Sequence, residues 1–86
     1  MKKYTKVYMN HFNFDVGDFI PCELCGTKAT EIHHIEARSL RKDLLNDVTN
    51  LMAVCRNCHI KFGDKKQYKN HLNQIHGDYL ERFAKS

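Results

Sequence analysis

The chain has 86 residues with no Trp and a single Pro, and a chain this short fits one domain whose small core needs a further staple. The N-terminal MKKYTKVYMNHF carries no apolar run of signal-peptide length, and nowhere do about eighteen apolar residues follow one another, so neither secretion nor a membrane span is expected and a cytoplasmic location is. Fourteen Lys and Arg against ten Asp and Glu leave a formal charge of +4, which favours a polyanionic partner without choosing between DNA and RNA.

Residues 1–20 hold Tyr4, Tyr8, Phe12, Phe14 and Phe19 among polar residues, a pattern that suits either a strand or an ordered arm packed on the core. Cys22-Glu23-Leu24-Cys25-Gly26 reads as a knuckle, because Gly26 can adopt the left-handed conformation that turns backbone amides toward thiolates. The second pair, Cys55 and Cys58, repeats the two-residue gap. Doubled CxxC spacing points to a tetrahedral structural Zn²⁺ held by Cys22, Cys25, Cys55 and Cys58, and a reducing compartment preserves zinc thiolates where it disfavours disulfides. Four redox-active or simply buried cysteines are the weaker alternative.

Residues 29–35, rich in β-branched side chains, predict a strand, and the apolar run Leu51-Met52-Ala53-Val54 predicts its partner in a hairpin closed by the polar loop 36–50. The second knuckle opens a short helix through His59, Ile60 and Phe62 that Gly63 ends. Asp64 with Gln67 forms a capping-box pattern for a helix bearing Tyr68, Leu72 and Ile75 and ended by Gly77. Asp78 with Glu81 repeats the signature before a last short helix with Tyr79, Leu80 and Phe83, so the C-terminal third is expected to be a helical hairpin.

Chemistry concentrates in the hairpin and the helix after it. His33 and His34 are adjacent on the first strand, Asn50 stands at the start of the second, and His59 directly follows the last cysteine. Neighbouring strand residues point to opposite faces, so the two histidines are not expected both to be core. One can face a metal shared with His59 while the other turns toward substrate.

These residues, with Cys22-Glu23-Leu24-Cys25, Glu31-Ile32-His33-His34-Ile35 and the run from Asn50 through Cys55-Arg56-Asn57-Cys58 to His59, resemble the HNH endonuclease family in its branch with paired zinc knuckles. The resemblance covers roughly residues 20–63. It implies an α+β fold, a small zinc-stapled ββα-metal (His-Me finger) domain with additional C-terminal helices. The whole of 1–86 is then one HNH nuclease domain, with an arm at 1–20, the knuckle and ββα-metal core at 21–63, and C-terminal helices at 64–86. It further implies that His34 is the general base, that His33 and His59 ligate a catalytic divalent metal, and that Asn50 braces the loop. Hydrolysis of DNA would leave a 5′ phosphate and a 3′ hydroxyl, with double-stranded DNA favoured over RNA. Similar small stand-alone proteins occur in phages and bacteria.

The chemistry is coherent in itself. A neutral imidazole takes a proton from water near neutral pH, and a divalent ion neutralises the phosphate and the departing 3′ oxygen. Arg38, Arg41 and Lys42, in the loop after the base, could grip neighbouring phosphates, although a solvated loop accounts for them nearly as well. In most relatives the position of His33 is Asp or His, so the match there is to a known variant, whereas Gly63 departs from the pattern by standing where a further ligand is common, so that water or Asp64 would complete the shell. Two imidazoles suit Mn²⁺, Ni²⁺ or Co²⁺ better than Mg²⁺, while Zn²⁺ could bind yet leave little room for substrate.

A competing parse takes Cys55, Cys58, His71 and His76 as a two-Cys, two-His finger, a DNA-binding module without catalysis. It strands Cys22 and Cys25 and leaves His33, His34, Asn50 and His59 unexplained. A non-catalytic zinc-ribbon-like interaction domain is a third reading. On the preferred one His11, His71 and His76 are surface or packing residues.

Overall fold

The computed structural model describes residues 1–63 and 65–84. Its first element is neither a strand nor an extended arm but a helix, α1, at Lys3–His11. The aromatics explain the choice. Tyr4, Tyr8 and Phe12 are spaced by four, so a helix places all three on one face, and that face packs on the second strand and the C-terminal helix. The chain leaves α1 through Asn13 in the left-handed region (φ 63°), which Asn tolerates well.

Strands β1 (Glu31–His34) and β2 (Leu51–Val54) form the expected antiparallel hairpin, with Glu31 opposite Val54 and His34 opposite Leu51. All four β2 residues are buried. The two-residue alternation of a strand divides them: Met52 and Val54 join Cys22, Ile35, Cys58 and Leu72 on one face, while Leu51 and Ala53 join Tyr8, Phe12 and Tyr79 on the other. A short strand covered on both sides reads as an unbroken apolar run. Between the strands the loop contains two 3₁₀ turns, Lys42–Leu44 and Val48–Asn50.

Helix α2 (Arg56–Phe62) begins at Cys55, whose Sγ accepts from the Cys58 amide, and stops at Gly63. Gly63 is not left-handed; its backbone is extended at φ −70°, ψ 150°. Glycine is required there for space, because a Cβ would fall 2.4 Å from His59 Cδ2 and 2.5 Å from the His59 carbonyl oxygen.

The expected C-terminal hairpin is replaced by one helix, α3, at Lys69–Ala84, preceded by a 3₁₀ turn at Lys66–Tyr68. Gly77 lies inside it and does not end it. Leu72, His76 and Tyr79 continue one buried stripe across that glycine, and their packing outweighs a local propensity cost of about 1 kcal/mol. Asp78 and Glu81 are therefore exposed mid-helix residues rather than a cap. Asp64, and with it the Asp64 and Gln67 capping box, lies outside the described residues. Among the described residues no helix is long and apolar enough to cross a membrane.

One buried polar cluster fastens the added helices to the core. The Glu23 carboxylate, with no solvent exposure, accepts from Tyr8 Oη of α1 (2.6 Å) and pairs with His76 Nδ1 of α3 (2.7 Å), while His76 Nε2 meets the Val48 carbonyl at 2.7 Å. Burial, reinforced by the charge of Glu23, pushes the Tyr8 phenol above its ordinary range, so it stays a proton donor.

Candidate active site and metal centre

The four cysteines come together. Their Sγ atoms all lie within 4.8 Å of one another, with Cys25 and Cys55 3.6 Å apart. A tetrahedral site with Zn–S bonds of about 2.3 Å needs sulfurs roughly 3.8 Å apart, so the cluster fits zinc. Gly26 is left-handed at φ 83°, as the knuckle requires. Hydrogen bonds from Thr27 lower the Cys25 thiol to about 6, and the Cys58 amide lowers Cys55. Burial and the neighbouring thiols push Cys58 upward. Four thiolates so close would repel one another, and a cation at their centre would offset that repulsion.

The finger parse is not formed. His76 directs its two ring nitrogens at Glu23 and Val48, and His71 is exposed on α3. Cys55 and Cys58 are grouped instead with Cys22 and Cys25.

His33 and His34 of the hairpin and His59 of α2 converge on a cleft of about 460 Å³, together with Tyr4, Ile32, Ala37, Arg38 and Ser39. Both strand histidines are buried, contrary to the expectation that they would not both be core. They do point to opposite faces, but α1 covers the second face, and Tyr4 packs edge-on against the His34 ring at 4.6 Å. The His33 and His59 rings lie 4.9 Å apart at 57°. Glu31, two residues before His33 on the same strand face, pairs with His59 Nδ1. That pairing directs His59 Nε2 away from Glu31, in the manner of a carboxylate orienting a metal-binding imidazole.

His34 Nε2 lies 2.9 Å from the Leu45 carbonyl. A carbonyl only accepts, so Nε2 carries the proton and, in the neutral ring, Nδ1 holds the lone pair. Burial lowers the His34 pKa, the Leu45 carbonyl opposes that, and the Arg38 charge adds to it. Asn50, buried behind the loop, accepts from the Glu36 amide through Oδ1 (2.7 Å) and donates to the Glu36 and Leu44 carbonyls through Nδ2 (3.2 and 3.4 Å).

Of the three basic candidates, Arg38 lines the cleft. Arg41 forms a two-pronged pair with Asp43 (3.0 and 3.1 Å), and Lys42 is exposed in its 3₁₀ turn and lines no part of the cleft. The sequence reasoning missed Glu31, Tyr4 and the Leu45 carbonyl. Glu31 carried a usable signal, since strand alternation places it beside His33. Tyr4 carried none, because only the docking of α1 brings it to His34.

A buried hairpin and the helix that follows it, with three converging histidines between them and a four-cysteine knuckle tying them, define a ββα-metal domain, and residues 22–65 match the family profile described as HNH endonuclease. The chain belongs to the HNH endonuclease family, a family of metal-dependent nucleases. It is also similar to a mitochondrial DNA mismatch repair protein, a mutS homolog, of Sarcophyton glaucum, 44% identical over 43 residues. That match takes in 45% of this chain and 4% of the relative's length.

Proposed function

We propose that this chain is a metal-dependent endonuclease that hydrolyses phosphodiester bonds of DNA, with His34 as general base and a structural zinc at Cys22, Cys25, Cys55 and Cys58. The observation that carries the reading is the hydrogen bond between His34 and Leu45. It leaves Nδ1 as the accepting nitrogen of a ring in the wall of the cleft, in the same small space as His33 and His59. Burial keeps that ring neutral near pH 7, as a base that accepts a proton from water must be.

His33 and His59 would hold the catalytic ion, which when bound supplies positive charge at the phosphate and at the leaving 3′ oxygen. Glu31 fixes the His59 ring for this task. Asn50 is a positioning residue: it fastens the loop at Glu36 and Leu44, next to the Leu45 carbonyl that orients His34. Arg38, exposed at the same cleft, offers a guanidinium for a neighbouring phosphate. DNA is favoured over RNA by the mismatch-repair relative, and double-stranded DNA by the family resemblance.

The test is incubation of purified protein with supercoiled plasmid, with and without divalent metal, beside His34→Ala. Metal-dependent nicking or linearisation by the parent and its loss in the variant are expected. A parent that leaves plasmid intact with every divalent ion tried would overturn the proposal.

A further inference from the structure

A second cleft, of about 290 Å³, opens beside the first and shares His33 and Ala37 with it. Ile35, Leu40 and Leu72 give it an apolar lining, and Lys65, Lys66 and Lys69 supply its charge. Among the described residues that line it, none is acidic. The lysines have a local structural origin. Lys65 Nζ caps the C-terminal end of α2 by donating to the carbonyls of Ile60 (3.0 Å) and Lys61 (2.9 Å), which leaves its charge in place. Lys66 projects from the 3₁₀ turn, exposed. Lys69 opens α3 and reaches Glu36 Oε2 at 3.2 Å, a half-exposed pair that phosphate can compete for. Lys66, Lys69 and Leu72 lie beyond residues 22–65, so the family match assigns them nothing.

We infer that this cleft holds the sugar–phosphate backbone of the substrate duplex next to the scissile phosphate, an inference that rests on the reading of the chain as a DNA endonuclease. Continuity is the first argument. A backbone whose phosphate sits among His33, His34 and His59 must leave that cleft, and Ala37, with its small side chain, borders both spaces. Charge is the second, since three lysines from one short segment face a partner that carries one charge per nucleotide. The lining is the third, because deoxyribose presents C–H surface between phosphates that the exposed side chain of Leu40 can meet. Lysines act as point charges on phosphate and read no base, so the contribution is independent of sequence.

The experiment measures binding of a labelled random-sequence duplex to His34→Ala protein across a range of salt concentrations. The backgrounds compared are His34→Ala alone, with Lys66→Gln, with Lys66→Gln and Lys69→Gln together, and with Lys28→Gln. Lys28 is exposed and lines neither cleft, so its replacement controls for net charge. Lys65 is left intact because it caps α2. Removing one lysine–phosphate pair should reduce the slope of log K against log salt by about 0.9, so the double variant should fall by about 1.8 and Lys28→Gln should match the parent. Zinc content and Tm equal to the parent's exclude misfolding, and Lys66→Gln alone keeps the test open if Lys69→Gln is destabilising. Parental slope and affinity in the Lys66 variants, or an equal reduction in Lys28→Gln, would overturn the inference. If the wild type still cleaves plasmid in that case, the proposed function stands and only this cleft's role fails. A wild type that neither cleaves nor binds would remove the function first.

Discussion

Asn50 holds both backbone polar groups of Glu36, its Oδ1 accepting from the amide at 2.7 Å and its Nδ2 donating to the carbonyl at 3.2 Å. The same Nδ2 reaches the Leu44 carbonyl, one residue before the carbonyl that orients His34. Asn50→Ala should therefore unfasten the loop from both ends and leave the part-buried amide and carbonyl of Glu36 unpaired, at up to about 1–3 kcal/mol each, while the Leu44 carbonyl keeps the Asp47 amide. Asn50→Asp keeps the acceptor and loses the donor, so it should fall between Ala and wild type in Tm. Plasmid cleavage should drop in both variants by more than duplex binding does. A cleavage rate unchanged in Asn50→Ala would dissociate the loop from the orientation of His34.

Zinc removal should unfold the domain. Structural zinc in small domains contributes roughly 10–16 kcal/mol of apparent binding free energy, and this core, split into two small clusters on either side of β2, has nothing comparable. Cys25→Ser, Cys58→Ser and treatment with a strong chelator are each expected to abolish the cooperative melt, with one zinc per chain measured in the parent. A metal-free variant that melts like the parent would show that the four cysteines do not staple the fold.

The Glu23 and His76 pair makes a separate stability prediction. His76→Ala strips the fully buried Glu23 carboxylate of its histidine partner and leaves it the Tyr8 hydroxyl and the Ala53 amide, and breaking a buried pair of this kind costs up to about 3–5 kcal/mol. The variant should melt far below the parent while retaining stoichiometric zinc under native conditions. Zinc retention is the informative readout, because a finger built from His71 and His76 would lose its metal with the same substitution. Loss of zinc from folded His76→Ala would revive that parse.

How much of this was legible in the sequence depended on the range of the interactions. The hairpin, both knuckles and α2 follow from residues adjacent in the chain or from a doubled spacing, and each formed as expected. Gly77 misled because a glycine beside a cap signature is a local stop signal, whereas the decision belongs to the packing of Leu72, His76 and Tyr79 on residues far away in sequence. The burial of both His33 and His34 was missed for the same reason: strand alternation gives their directions, but only the docking of α1 shows that both faces are covered. Glu23 carried no signal of its own inside the first knuckle because its partners, Tyr8 and His76, are 15 and 53 residues away.

Removing the base should separate chemistry from binding. His34→Ala is expected to keep zinc and duplex affinity and to lose cleavage by about 10²–10⁴, the usual scale for a general base. The pH profile carries the sign of the shift. A base acts in its neutral form, and burial holds the His34 pKa below the ordinary value of about 6.5, so the neutral fraction persists as pH falls through that value. The acid limb of cleavage by wild type should accordingly lie below pH 6.5. A limb centred above it, or parental cleavage by His34→Ala once contaminating nucleases are excluded, would take His34 out of the mechanism.

The identity of the working ion follows from the donor set. Two imidazoles, His33 and His59, bring no negative charge to the cleft, and Glu31, the nearby carboxylate, is engaged with His59 Nδ1. Position 63 cannot add a donor in this backbone, because a Cβ there would collide with the His59 ring. Hard Mg²⁺ favours carboxylate and water oxygens, whereas Mn²⁺, Ni²⁺ and Co²⁺ accept imidazole nitrogen readily. Cleavage with those ions should therefore exceed cleavage with Mg²⁺ at equal concentration. His33→Asp supplies an anionic oxygen at the same strand position and should narrow or reverse the difference, while Glu31→Gln, which weakens the hold on His59, should lower activity with every ion and leave their order intact. The measurement is a metal titration of plasmid cleavage on protein stripped of loosely bound metal, with the structural zinc confirmed in place. If wild type works best with Mg²⁺ and His33→Asp leaves the ranking unchanged, His33 does not ligate the catalytic ion, and the roles of the two adjacent histidines must be exchanged or given up.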